Sequence, residues 1–452
     1  MKLSSLCKGI RFPKPKYPNV PTEVVPIPSP SKVILPMLQH AGLPCIPCVE
    51  KGTQVKIGDV VGRPQDETGA SVHASVSGEV TDIAQVYTSS GQKSPAVIIS
   101  SDGKDTWADN IKTDAEYLEK APSVLIDRIK DAAIMSSGSE SAPVITDLTL
   151  SQKPRGYHFA TGLPIFKPLD TLVINCVDTE PYYGSAHRLM NDFFDDLEAG
   201  IKTVKIVTEA TRFIMAVDVQ HSVSNQVRDL TGQLEVAVRS VDGTRFPTGV
   251  HRVLLKELLD LEIPMPYGEP RDYGVSVLKV DSIIDIGRAA KHLKPQVEKV
   301  ISVFGKGVHD QKLVRVRMGT PLKDVLEACG GLAGRPGKVI FGGPMMGMAQ
   351  FDLNVPISKD TEAVYVQTMD EVVRSTNHPC INCGLCVKVC PVRLVPSQLS
   401  KYCENDQFQD AAALNLMNCI ECGCCHYVCP AKRPMVHQFR YGKSQVMVRR
   451  MG

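Results

Sequence analysis

Cys380-Ile381-Asn382-Cys383-Gly384-Leu385-Cys386-Val387-Lys388-Val389-Cys390-Pro391 is answered further along by Cys419-Ile420-Glu421-Cys422-Gly423-Cys424-Cys425-His426-Tyr427-Val428-Cys429-Pro430. Both stretches read C-x2-C-x2-C-x3-C-P, the spacing of a bacterial iron–sulfur run. Three closely spaced thiolates wrap one face of a cubane, and the proline turns the fourth toward the other cluster. By that rule one [4Fe-4S] cluster takes Cys380, Cys383, Cys386 and Cys429, and the second takes Cys419, Cys422, Cys425 and Cys390. Zinc knuckles and a disulfide framework are the competing readings. Zinc uses separated pairs rather than runs of three, and neither alternative accounts for a proline after each fourth cysteine. Cys424 is expected to be a non-ligand, because choosing it breaks the match between the two runs. The pattern predicts electron transfer.

The whole chain has 452 residues, room for two to four domains at roughly 150 residues each. A formal charge of +2 gives no field that would recruit nucleic acid. Of fifteen cysteines, those in the two runs must be reduced, which fits a cytoplasmic compartment. No signal peptide is expected at the start, and no apolar run reaches the roughly 18 residues that a bilayer span needs. The expectation is a protein that is soluble or held to a membrane through other subunits.

Outward from the cysteines, helices near 396–403 and, capped by Asp406, 407–417 predict an α-helical ferredoxin-like domain over 368–452. Its basic tail, 440–450, reads as a docking element or a solvated helix end. Upstream, 297–367 carries strands at 300–304, 313–316 and 338–341, with a helix at 321–329 stopped by Gly330-Gly331. This is a β-grasp pattern, and its turn Gly342-Gly343-Pro344-Met345-Met346-Gly347 lacks the spacing of a phosphate-binding fingerprint.

Over 121–296 helices are expected at 123–133, 186–199, 218–231 and 250–261, and strands at 171–175, 203–207 and 235–239. Such alternation predicts a Rossmann-like α/β domain with ligands at the strand C-terminal ends. Asp178 and Glu180 stand on such a loop and Asn175 at the strand end before it, as candidate flavin ligands; the plain alternative is a strand-end cap and a solvated loop. Over 31–120, short strands at 32–35, 54–57, 74–83 and 96–99 predict a barrel-sandwich of the lipoyl type. No lysine stands in its 73–78 hairpin, so no swinging arm is expected. Cys45 and Cys48 form one further C-x2-C, which needs help from Cys7 or His40 to hold a metal and otherwise reads as two small buried hydrophobes. Residues 1–30 are proline-rich and predict an extended arm.

With these pieces in order, the chain resembles the RnfC family, the C subunits of Rnf-type ion-translocating electron transport complexes. The resemblance is carried by Leu38-Gln39-His40-Ala41-Gly42, Val72-His73-Ala74-Ser75-Val76-Ser77-Gly78, the stretch 175–182, Val316-Arg317-Met318-Gly319-Thr320-Pro321, the 342–347 turn and both cysteine runs. It implies a multidomain α/β plus α+β protein: a barrel-sandwich, a flavoprotein-type domain similar to the NADH-oxidising subunit of respiratory complex I, a ligand-binding β-grasp (SLBB) domain and two [4Fe-4S] clusters. It further implies FMN in the α/β domain, ferredoxin or NADH as electron partner, and other Rnf-like membrane subunits as neighbours on the cytoplasmic face. Cobalamin reductases of propanediol-using microcompartments share this architecture, so a soluble corrinoid reductase is a further implied function.

The sequence departs from that family at the flavin elements. The glycine-rich flavin loop appears as Ala132-Ala133-Ile134-Met135-Ser136-Ser137-Gly138-Ser139-Glu140-Ser141-Ala142-Pro143-Val144, with Gly138 its one remaining glycine. Side chains crowd the approach of a phosphate to the backbone, and the Glu140 carboxylate repels it, by about 1 kcal/mol at roughly 4 Å in water and more in a dry pocket. Asp178 replaces the family's first glutamate and Thr179 its cysteine, while Gly249-Val250-His251 replaces Gly-Gly-Glu. These changes argue against FMN or a nicotinamide bound in the family manner, and favour an electron relay over an active FMN-dependent NADH dehydrogenase.

Overall fold

The computed structural model describes residues 9–12, 23–66, 69–136, 142–148, 156–157, 164–165, 168–208, 210–221, 223–264, 268–373 and 376–451. Alternating β-branched residues near the start close into two small antiparallel sheets. One runs Lys32–Pro36, Lys93–Ser101, Gly78–Tyr87, Gln54–Val55 across its width, and the other Ile46–Pro47, Val60–Arg63, Val72–His73. Their inward side chains, among them Val33, Leu35, Val61, Val97 and Ile99, form a core that also takes Met318 from the β-grasp region. The barrel-sandwich is thereby fixed to its neighbour.

A parallel four-stranded sheet follows, ordered Val236–Val241, Arg212–Asp218, Thr171–Cys176, Val275–Lys279. Every residue of Thr171–Cys176 is buried, as a strand covered on both faces requires. Residues 203–207 are not the expected strand; they are the last turns of the helix Phe194–Val207. Their β-branched side chains extend the apolar stripe of Leu197 and Ile201 that packs on the helix Val280–His292. The Thr203 hydroxyl is satisfied inside the helix by Ala199 O at 2.7 Å. Packing therefore overrides strand propensity. The strand lies instead at Arg212–Asp218, and the next helix begins at Asn225, capped by the Ser224 side chain. Val275–Lys279 and Val280–His292 add a strand and a helix beyond those expected. The two long helices cross so closely that a Cβ on Gly200 would stand 1.9 Å from Ile283 O, and one on Gly287 2.0 Å from Asp196 O.

The β-grasp sheet has six strands, in the order Val24–Pro26, Lys312–Arg317, Glu298–Phe304, Ala363–Thr368, Pro336–Phe341, Met348–Gln350. Its outermost strand comes from the proline-rich arm, and Ile10–Arg11 pairs with Arg245–Phe246. The arm is thus sewn into two domains where it is described.

The cysteine region is helical: Leu385–Val389, Pro396–Glu404, Phe408–Ala413, Cys424–Tyr427 and Met435–Met451. Asp406 does not cap the third of these; it is left-handed at φ +56°, and Gln407 holds the N-cap position. That helix is shorter than expected because Asn415, at φ +61°, turns the chain into a 3-10 segment. Among the described residues no helix is long and apolar enough to cross a membrane.

Candidate metal centres and the α/β crevice

The two cysteine runs follow the same backbone path. Asn382 and Glu421 share φ of +55° and +56°, Gly384 and Gly423 +73° and +77°, Arg393 and Lys432 +58° and +48°. Left-handed backbone costs a non-glycine residue roughly 1–2 kcal/mol, so the repeated exceptions mark a shape both runs require. In each, the glycine opens a short helix that carries the third cysteine, Cys386 or Cys425.

That shape gathers eight cysteines around two cavities. Cys380, Cys383, Cys386 and Cys429 line one, with Met435 and Ser397. Cys390, Cys419, Cys422 and Cys425 line the other, with Leu394 and Phe439. Each cavity takes three cysteines from one run and the fourth from the other. The N–H groups of Leu394 and Glu421 lie 3.3 Å and 3.4 Å from the sulfurs of Cys390 and Cys419, an arrangement that favours thiolate over thiol. Burial acts the opposite way. It pushes Cys419 up to about 12 and Cys425 well above the usual thiol range, so these sulfurs need a cationic partner to ionise. Among the described residues no three Cys, His, Asp or Glu side chains converge as a single ion demands, and no disulfide joins the described cysteines. Four thiolates spaced around a volume fit a cubane, whose separate irons hold their ligands apart.

The two cavities differ in exposure. Cys383 is exposed and Cys380 and Cys429 are half-buried, whereas Cys390, Cys419, Cys422 and Cys425 are all buried. Cys403 packs against Gly442, where a Cβ would stand 2.6 Å from its sulfur. Cys424 also lines the second cavity, its thiol directed at Phe246 O at 3.9 Å. In the barrel-sandwich, Cys45 is buried as a small hydrophobe and bonds to Ala70 O at 3.2 Å. Cys48 departs from that reading: it is exposed.

The α/β crevice lies at the C-terminal ends of Thr171–Cys176 and Val275–Lys279, where the strand order reverses and ligands of such sheets bind. The strand end and the loop after it carry Asn175, Asp178 and Glu180, yet each is already engaged. Asn175 Nδ2 donates to Gly249 O at 2.9 Å, and its Oδ1 accepts from Val177 N–H at 3.0 Å. Asp178 accepts from the N–H groups of Gly184 and Ala186 at 2.8 Å and 3.1 Å, fastening the start of the helix Ser185–Asp192. Glu180 is not solvated: it is 5% exposed and accepts main-chain N–H groups from Met345 and Met346.

Across the crevice the β-grasp inserts Glu362, which pairs with Lys279 and accepts the Thr179 hydroxyl at 2.9 Å. Burial raises the Glu180 carboxyl to about 8. Burial also opposes ionised Glu362, but Lys279 and Lys299 hold its carboxyl below its ordinary value. These residues as placed do not form a cradle for FMN, since their polar atoms are spent on the protein. The altered glycine loop expected to face a flavin phosphate, 137–141, lies outside the described residues; at its base Ser136 Oγ donates to Ala142 O at 3.0 Å. A further cavity lies between Trp107, Phe193, Arg288 and Lys294; its Gln296 accepts the Met135 N–H at 3.2 Å, and its Arg288 is paired with Asp196 at 2.8 Å.

Sequence reading did not anticipate Lys279 or Glu362, since a lysine ending a strand and a glutamate before one carry no local signal of pairing across domains.

Four families match the chain in succession: the RnfC barrel sandwich hybrid domain over residues 4–104, the Nuo51 FMN-binding domain over 110–288, the SLBB domain over 300–349 and the 4Fe-4S dicluster domain over 379–432. Over nearly its full length the chain is similar to the C subunit of the proton-translocating ferredoxin:NAD(+) oxidoreductase complex of Clostridium ljungdahlii, at 34% identity covering 94% of this chain and 90% of that one. Its Na(+)-translocating counterpart from Acetobacterium woodii is 32% identical over 96% of each chain. The C subunit of the ion-translocating oxidoreductase complex of Methanosarcina acetivorans is 32% identical over 92% of this chain and 93% of that one.

Proposed function

We propose, because this chain belongs to the RnfC family of ion-translocating oxidoreductase complexes, that it is the peripheral electron-relay subunit of such a membrane complex. One observation carries the reading: the eight cysteines at matching positions of the two runs divide four and four around two cavities, each completed by the other run, with Cys424 a ninth cysteine in the lining of the second. Cys380, Cys383, Cys386 and Cys429 hold the first [4Fe-4S] cluster, and Cys419, Cys422, Cys425 and Cys390 the second. When bound, each cluster supplies a one-electron couple. The chain's own part is to supply the thiolates, aim N–H groups at their sulfurs and exclude water from the second site. The more exposed first site faces an external redox partner of the ferredoxin class. Attachment to the cytoplasmic face of the membrane comes through the other members of the complex.

The α/β domain serves as scaffold in this reading. The match to an FMN-binding domain over 110–288 favours a second reading, an FMN-dependent NADH dehydrogenase. Anaerobic purification with clusters intact separates the two. The relay predicts about eight irons per chain, little flavin and no NADH-dependent bleaching. Stoichiometric FMN reduced rapidly by NADH would sink it. Co-purification with integral membrane proteins of the complex separates both from a soluble corrinoid reductase.

A further inference from the structure

The C-terminal helix Met435–Met451 lays two cations beside the second cysteine cavity. Lys443 Nζ donates to the main-chain oxygen of Cys419 at 2.6 Å and to Glu421 Oε1 at 2.8 Å. Arg440 Nε donates to Glu421 Oε2 at 2.8 Å. The Lys443 side chain is 14% exposed, against 39% for Arg440, so solvent screens it less. Among the described residues, Glu421 is the one charged side chain lining this cavity besides the cysteines, and the lining of the first cavity has none. With two cations and one anion, the group carries a net charge of +1. Its backbone counterpart in the first run is the neutral Asn382, bonded on the exposed surface to Lys401 at 3.3 Å. The basic tail is therefore not wholly solvated: Arg440 and Lys443 in its first turns are engaged at the second site.

We propose that Lys443, assisted by Arg440 and opposed by Glu421, is a positioning residue that raises the reduction potential of the second cluster. The inference rests on the cluster assignment above. Reduction adds one electron to a group already ringed by four thiolates, and a fixed positive charge nearby stabilises the reduced form more than the oxidised one. Lys443 holds that charge on the peptide unit of a cysteine ligand, where hydrogen bonding outside the ligand sphere tunes the metal. The Glu421 carboxylate, closer to the cavity wall, acts with the opposite sign. Charges of opposite sign must shift the potential in opposite directions, a signature that general loosening of the site does not produce.

The test is an EPR-monitored redox titration of the full chain carrying both clusters. Lys443→Gln is expected to lower the second potential enough to change its reduced-to-oxidised ratio at fixed potential about tenfold, or ~59 mV for a one-electron couple. Arg440→Gln lowers it less, Glu421→Gln raises it, Lys443→Arg leaves it close to the parent, and the first cluster stays put in all four. Unmoved potentials, or shifts of one sign in both Lys443→Gln and Glu421→Gln, overturn the proposal. If Lys443→Gln fails to retain the second cluster, Arg440→Gln decides, because its bond is to Glu421 and not to a ligand's backbone; no negative shift there is equally fatal. A parent protein that cannot hold two clusters defeats the relay reading along with this one, whereas two intact clusters with unmoved potentials defeat this inference alone.

Discussion

Met345 presents its main-chain N–H to the Glu180 carboxylate at 3.1 Å, and Met346 does the same to the other oxygen. The turn closes tightly on that carboxylate: a Cβ on Gly343 would stand 2.6 Å from Glu180 Oε2. On its far side the turn meets the second cysteine run, where a Cβ on Gly423 would stand 2.9 Å from Met345 O. One side chain on the α/β loop thus anchors the β-grasp turn against the wall of the second cysteine cavity.

Replacing Glu180 by Gln keeps one acceptor but turns an amide N–H₂ toward the other main-chain donor. A cost of about 1–3 kcal/mol follows from the orphaned buried donor, read as a lower denaturant midpoint. The pH dependence has a definite sign. The folded carboxyl, raised to about 8, keeps a proton that the unfolded chain releases near 4.3. Stability therefore falls as pH rises between those values, by up to ~1.4 kcal/mol per unit. Equal pH slopes in the parent and Glu180→Gln would show that this carboxyl is not responsible.

Serine in place of Cys383 or Cys422 removes one thiolate from one site only. Each variant is expected to lose about half its iron and one of two EPR signals, while Cys403→Ser and Cys424→Ser keep both. Iron analysis with EPR of the reduced protein checks this. Loss of both clusters from Cys424→Ser, or of neither from Cys422→Ser, would require a different ligand set.

Lys279→Met removes the ion-pair partner of Glu362 and leaves it the Thr179 hydroxyl and the field of Lys299, in a crevice where the paired side chains are 11% and 16% exposed. Breaking such a pair costs about 3–5 kcal/mol, while replacing both partners by apolar groups is often close to neutral. The double variant Lys279→Met with Glu362→Leu should be more stable than Lys279→Met alone. Additive losses in a double-mutant cycle would mean that the pair is uncoupled.

At the helix crossing, Gly287→Ala drives a methyl group into Asp196 O. Overpacking of this kind costs about 1–3 kcal/mol. Gly232, which has nothing within 4 Å of an added Cβ, is the control: alanine there should be neutral or stabilising, by up to about 1 kcal/mol. Thermal unfolding distinguishes them.

The sequence by itself determined the order of domains and the two matching cysteine runs, because the spacing within a run is local and the turns between its cysteines are built from neighbouring residues. Most strands and helices were likewise legible, since alternation and helical periodicity are local. The strand expected at 203–207 was not: apolar β-branched residues fit either element, and only the partner helix Val280–His292 selects one. Tertiary structure also decided the fate of Asn175 at the strand end and of Asp178 and Glu180 on the loop after it. Gly249, which engages Asn175, lies 74 residues from it in sequence, and Met345 lies 165 from Glu180. A carboxylate that binds a cofactor and one that clasps a distant turn look alike in sequence, and only the long-range fold supplies the hydrogen-bond partner that tells them apart.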